Sequence, residues 1–192
     1  MFTKVIFLGV FSILAATASP SLARTAHYRL DPANSDVGFA WDFGQDEVKG
    51  HMPVESAELV IDFSDVSRST VSVAVNAEAA EAGFPFASQA MKGPKVLDAA
   101  NFPLISFTST KITQQGDQAR IDGLITIRGV TKPATLIAQL YRPQGSDPAD
   151  MSNLSIRLAG SVSRSAFGAD GWSDMAGDEV RLNILARISE VE

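Results

Sequence analysis

The 192-residue chain contains no cysteine. That absence excludes disulfides, a thiol nucleophile, haem attached through Cys, Cys-ligated zinc and a lipid-modified Cys as a membrane tether. Histidine occurs only twice, as His27 and His51. A hydrolase triad needs a His beside an activated Ser, and the chain has no Gly-x-Ser-x-Gly turn to present one. His51 beside Met52 suggests copper, but neighbours on a strand point to opposite faces. The residues therefore nominate no catalytic group, no metal site and no cofactor. Positive charge is also scarce: 16 Lys and Arg stand against 22 Asp and Glu, a net charge of −6, and no basic stripe occurs. Nucleic acid and a polybasic membrane patch both fit that balance poorly.

What is present is an ordinary globular composition, 45% hydrophobic and 20% charged, which argues for a folded core rather than disorder. Its aromatics are skewed. There are 2 Tyr and 2 Trp but 11 Phe, the aromatic that brings a large apolar surface without a polar handle.

The first 23 residues read as a leader. Lys4 gives a positive start, Val5 to Ala18 is almost uninterruptedly apolar, and Ser21-Leu22-Ala23 follows the helix-breaking Pro20 with the small-x-small cleavage pattern. Ala16-Thr17-Ala18 is a competing site. The apolar run is about 14 residues, short of the roughly 20 that a transmembrane helix needs. The expectation is a cleaved signal peptide at 1–23, export to the periplasm, and one domain at 24–192.

Strand alternation dominates the rest. Val180, Leu182, Ile184, Ala186 and Ile188 point one way, with Arg181, Asn183, Arg187 and Ser189 the other. Val71, Val73, Val75 and Ala77 repeat the pattern, as do Phe39, Trp41 and Phe43, then Ile105 and Phe107, Ile125 and Ile127, Leu136, Ala138 and Leu140, and the run from Leu154 to Val162. Turn residues separate these runs at short spacing, for example Gln115-Gly116-Asp117 and Gly129 to Pro133. The pattern predicts an all-β fold, a sandwich or closed antiparallel barrel, with closure favoured because it removes exposed edges. Residues 79–101 break the alternation. With Phe84-Pro85-Phe86 and Gly93-Pro94, they predict an insertion with a short helix over 87–92 and a further turn ending near Ala100, placed to lid one barrel end.

Taken in order, several pieces resemble the YceI-like family of lipocalin-like periplasmic lipid-binding proteins. They are Leu30-Asp31-Pro32 with Ser35, Val37 and Phe39; Val48-Lys49-Gly50; Leu97-Asp98-Ala99 and Asn101-Phe102-Pro103; Phe107 and Ser109; Gly123 to Ile127 leading into Gly129 to Pro133 and Leu136; Arg164 to Gly168; and Asp178-Glu179-Val180. The resemblance implies a barrel of about eight strands, the short helical insertion near residues 84–100, and an apolar tunnel. The implied ligand is a long-chain lipid, for instance an isoprenoid quinone or a polyprenyl lipid. The chain departs from the family where many members carry a His after the first aromatic run, here Trp41-Asp42-Phe43. An Arg-rich segment before the insertion is here Glu81 to Phe86.

Candidate ligand contacts are then Phe39, Trp41, Phe43, Phe84, Phe86, Leu97, Phe102, Phe107, Phe167 and Trp172, each equally able to fill a barrel core. Phe84 and Phe86 stand apart, because apolar residues in an irregular segment must cover something. Arg164 fits either a phosphate or quinone oxygen, or a salt bridge to Asp174, Asp178 or Glu179. Asp42 is expected to face outward, since burial in an apolar tunnel would be costly. Transient membrane contact and a homodimer stay open as further partners. So do two rival readings: an enzyme acting on a bound lipid, and a ligand-free stress or interaction protein with a solid core.

The leader carries the first prediction. Protein exported by a bacterium should begin at Arg24, and intact-mass analysis retaining Lys4 would refute the export reading.

Overall fold

The computed structural model describes residues 25–142, 145–147 and 150–191; the leader expected at 1–23 lies outside them. Eleven strands form one antiparallel sheet. The first four are β1 (Thr25–Leu30), β2 (Asp36–Phe43), β3 (Asp46–Met52) and β4 (Val54–Asp62). β5 (Thr70–Asn76) and the two-residue β6 (Glu81–Ala82) lead into helix α1 (Pro85–Lys92). Then come β7 (Leu104–Gln115), β8 (Gln118–Ile127), β9 (Val130–Tyr141), β10 (Asn153–Ser163) and β11 (Ala176–Glu190).

Eight of them close a ring, in the order β1-β4-β5-β7-β8-β9-β10-β11, with β11 returning to β1 through Leu30↔Ile188, Arg29↔Ser189 and Tyr28↔Glu190. This is the antiparallel barrel the alternation predicts. The 15-residue β11 is long enough to serve two partners on one edge: its end pairs β1 and its first part pairs β2. The turn at Asp31 to Asn34 is therefore a break within one long strand rather than a hairpin. Asp31 makes it locally, its carboxylate accepting from the backbone N–H of Ala33 and Asn34. Pro53 interrupts the facing strand between β3 and β4 in the same way, so His51 and Met52 close β3.

The insertion leaves the wall at Ala77 and returns at Pro103, where Ala77 N–H donates to the Pro103 carbonyl at 2.7 Å. Pro85 at the first turn of α1 presets its dihedral without sacrificing a helical hydrogen bond. The buried side of the helix is Ala87 and Met91. Met91 joins Phe39, Met52, Val75 and Ala80 in a buried cluster, so α1 sits on the end of the barrel wall.

Away from the insertion, a fully buried carboxylate ties the other end. Asp62 accepts from the Ser64 and Asp65 backbone N–H at 2.9 and 3.0 Å, from Ser64 Oγ at 2.5 Å, and from Arg68 Nη2 at 2.6 Å. Thr25 of β1 reaches it at 3.3 Å. One side chain thus fixes the β4–β5 connection and its neighbour strand. The hydrogen bond from Ser64, with the backbone donors and Arg68, holds the Asp62 carboxyl far below the usual carboxylate range.

A group whose pKa is depressed by folding stabilises fully above its unfolded value and loses that contribution as pH falls toward the folded one. Asp62→Asn should therefore lower the urea midpoint at pH 7. The gap between wild type and variant should narrow from about pH 5 downward, the unfolded carboxyl titrating near 3.9. A gap that stays constant down to pH 2 would show that packing, not the charge, is what the variant loses.

Candidate functional site

Strand pairing puts the regular apolar series on the inside, and the inside is hollow. A cavity of about 570 Å³ runs through the barrel, lined by the inward residues of its strands. That volume lies in the range of sites that take small organic ligands. The cavity fits the expected apolar tunnel and speaks against the rival reading of a solid core. Burial shows the same thing strand by strand: Ile156, Leu158 and Val162 of β10 and Val180, Leu182, Ile184 and Ala186 of β11 all line it, yet remain only half-buried. Inward apolar residues of a packed barrel would be sealed by one another.

Two glycines help keep it open. A Cβ on Gly50 would lie 2.5 Å from Phe39 Cζ, and one on Gly123 would lie 2.4 Å from Phe107 Cζ. The two rings lie over a neighbouring strand's glycine, against the wall. Trp41 stacks on Phe39 at 5.9 Å and 14°, continuing that lining.

The insertion end is the aromatic end. Phe84 and Phe86 of the insertion and Trp172 of the β10–β11 loop border the cavity while 45%, 59% and 47% exposed. Phe86 and Trp172 meet edge to face at 6.1 Å, joining the insertion to the loop across the mouth. Beneath them the loop is stitched to the insertion by Gly171 N–H on the Lys95 carbonyl at 2.9 Å, and by Arg128, which donates to the carbonyls of Val96 and Gly168.

Of the residues nominated from the sequence, Phe39, Trp41, Phe43, Phe84, Phe86, Leu97, Phe107, Arg164, Phe167 and Trp172 border the cavity. Phe102 does not. It follows the turn at Asp98 to Asn101 out of the insertion, its ring covers Gly129 on the outside, and it is 37% exposed. Arg164 borders the cavity and does not form the expected salt bridge. Its guanidinium donates to four backbone carbonyls, those of Gly177, Ala169, Gly171 and Ala176, at 2.6 to 2.8 Å. Asp178 bonds elsewhere, accepting from Ser163 Oγ and Ser165 N–H, which hold its carboxyl below the usual range. Arg164 therefore shapes the loop that carries Trp172. Asp42 faces outward, as expected, against Arg181 at 2.6 Å, and Arg181 also reaches Glu47 at 2.9 Å.

The residues nominated as ligand contacts leave out most of the lumen. Val37, Met52, Val73, Leu158 and Leu182 belong to it, and only their phase on the strands could have marked them. The nominations also leave out a polar border at the end away from the insertion, where Ser69, Gln114, Asp117, Gln118 and Arg142 line the cavity. Among the described residues no group of three His, Cys, Asp or Glu is placed to hold a metal. His51 stands on the outer wall, 3.8 Å from Glu81.

Comparison with known proteins agrees with this geometry. A family model described as a YceI-like domain matches residues 28–188. The chain is 27% identical over 182 residues to Protein YceI of Salmonella paratyphi B and of Salmonella enteritidis, with 90% of each chain covered. Its fold is similar to the crystal structure of Burkholderia cenocepacia BcnA, with a TM-score of 0.73 at 18% identity over 83% of this chain and 99% of that one. It is also similar to a polyisoprenoid binding domain from Saccharophagus degradans, with a TM-score of 0.61 at 8% identity over 88% and 100%.

The loop makes a stability prediction. Arg164→Ala should cost roughly 2 to 4 kcal/mol, since part-buried carbonyls lose a charged donor. Amide exchange should rise first at Ala169, Gly171 and Trp172. Unchanged protection there would mean that Arg164 does not hold the loop.

Proposed function

The chain belongs to the family of YceI-like domains, and from that premise we propose that it binds, stores or carries a long-chain isoprenoid or other amphiphilic lipid in the periplasm. The observation that carries this reading is the hollow interior: an apolar lumen whose wall residues are half-buried for want of a partner. The neighbour from Saccharophagus degradans is described as a polyisoprenoid binding domain. That name supports the ligand class by analogy of fold. The family and the barrel point to a binding protein rather than an enzyme, and the leader-like residues 1–23 support the periplasm.

Energetics favour a long tail over a small solute. Burying a methylene contributes roughly 0.8 kcal/mol, against an association cost on the order of 4 to 15 kcal/mol. A few carbons hardly offset that cost. About fifteen to twenty give a gross ~12 to 16 kcal/mol by the same coefficient. A chain of that length is retained without a strong polar anchor, which suits a lumen lined mostly by apolar side chains.

Organic extraction of protein purified from a bacterial periplasm, followed by mass spectrometry, should yield a stoichiometric lipid with a long linear or branched tail. Ala186→Phe, which places a ring on the half-buried lumen wall, should fold and carry several-fold less lipid. Extracts no richer in lipid than those of a control periplasmic protein would overturn the reading.

A further inference from the structure

Exposed apolar surface is unevenly placed on this molecule. Of ten large hydrophobic side chains exposed among the described residues, seven belong to the connections at the insertion end: the insertion with the start of β7, the β8–β9 turn and the β10–β11 loop. Four of them, Phe84, Phe86, Trp172 and Met175, edge the cavity mouth or lie three residues from one that does. Trp172 is held in left-handed backbone at φ 62°, a conformation rare for a bulky residue. The turn is locked by Met175 and Ala176 N–H on the Trp172 carbonyl, at 3.0 and 2.7 Å. The fold holds this conformation although the ring it carries is half exposed, which points to a use outside the core.

We propose that the insertion end is a docking face for a lipid bilayer, with Phe84, Phe86, Trp172 and Met175 entering the interfacial layer. The lumen then opens onto hydrocarbon, and a lipid tail passes between bilayer and barrel without crossing water. This rests on the lipid-binding reading. A bilayer is the occupant that the geometry fits, because three of the four side chains also border the lumen. A protein partner seated on them would stopper the mouth, whereas a bilayer is continuous with what the lumen holds. Trp suits such a boundary, with an apolar ring and a polar N–H. Charges flanking these residues in the chain are mixed, Lys92 at the end of α1 and Lys95 just past it with Asp170 and Asp174 on either side of Trp172, so attachment is apolar rather than electrostatic.

The test loads the mature protein with a pyrene-labelled fatty acid and mixes it with phosphatidylcholine vesicles. Transfer should accelerate in proportion to vesicle concentration, as collision requires. Met175→Asp, at an exposed site outside the lumen lining, should slow transfer about tenfold while probe loading is unchanged. Flotation of unloaded protein, wild type and Phe86→Asp, decides the docking itself: wild type should float with phosphatidylcholine vesicles and the variant should not. Transfer independent of vesicle concentration overturns the proposal. So does association with phosphatidylglycerol vesicles alone that salt abolishes, or sedimentation showing that the same variants instead dissolve a dimer. Failure of probe loading with flotation intact would sink the lipid-cargo reading and leave the docking face standing.

Discussion

When eight antiparallel strands close into a ring, every second side chain is committed to the inside. A ring of that size is just wide enough for side chains to fill it or for one ligand to be held. Which outcome follows depends on how much volume the inward positions carry. Here much of the inward set is modest in size, with Ala134, Ala138 and Ala186 among Val, Leu and Ile. The larger rings of Phe39 and Phe107 lie over glycines on the adjacent strands instead of crossing the lumen. The wall is complete and the centre is not. Hollow space of this kind forfeits dispersion contacts on one side of every lining atom, so the fold gives up packing that a solid barrel would have.

Stability that the centre does not supply is concentrated in the wall and at its ends. Strand pairs with strand all the way around the ring, with bulges only in the β4–β5 and β7–β8 ladders, and β11 closes it against β1. Charged groups tie the connections: Asp62 gathers the β4–β5 crossing, and Arg164 gathers the carbonyls of the β10–β11 loop. Arg181 clamps the outer face where β2, β3 and β11 meet, holding the Asp42 carboxyl below its ordinary range. These groups fix the rims without filling the lumen. A charge used in this way is part of why the interior can remain apolar and open.

The fold was legible because closure leaves each strand one wet face and one dry one. Val180 to Ser189 alternates for that reason, broken only at Leu185, and so does Val71 to Ala77 apart from Ala74. The break at Asp31 to Asn34 was not legible as a break. Turn residues say that the chain bends, but only the length of β11 decides that both flanking strands pair the same edge. Phe84 and Phe86 could be picked out because they interrupt alternation with apolar bulk. Phe102 was misplaced by the same logic: in an irregular segment no period tells which side a ring takes, and here Gly129 receives it outside. Arg164 was read as a partner for charge, since sequence shows carboxylates nearby but not the four carbonyls that a looped backbone turns toward it. Lumen and core are written in the same aliphatic residues, so hollowness itself appears only in three dimensions.

The departures from the family pattern take on meaning in this setting. Asp42 stands between Trp41 and Phe43, so its side chain lies outside, bonded to Arg181, while its neighbours line the lumen. Glu81 lies on β6, facing His51 on the outer wall. Neither position adds a polar group to the cavity, and the lumen is left with apolar contacts along most of its length. Such contacts discriminate weakly. One methylene more or less changes binding by only about 1 to 3 kcal/mol, whereas a site built around a hydrogen bond rejects the wrong partner far more strongly. On the proposed lipid-binding reading, a lumen of this composition would select by the length and cross-section of a chain rather than by its head group, and would accept a class of lipids rather than one compound.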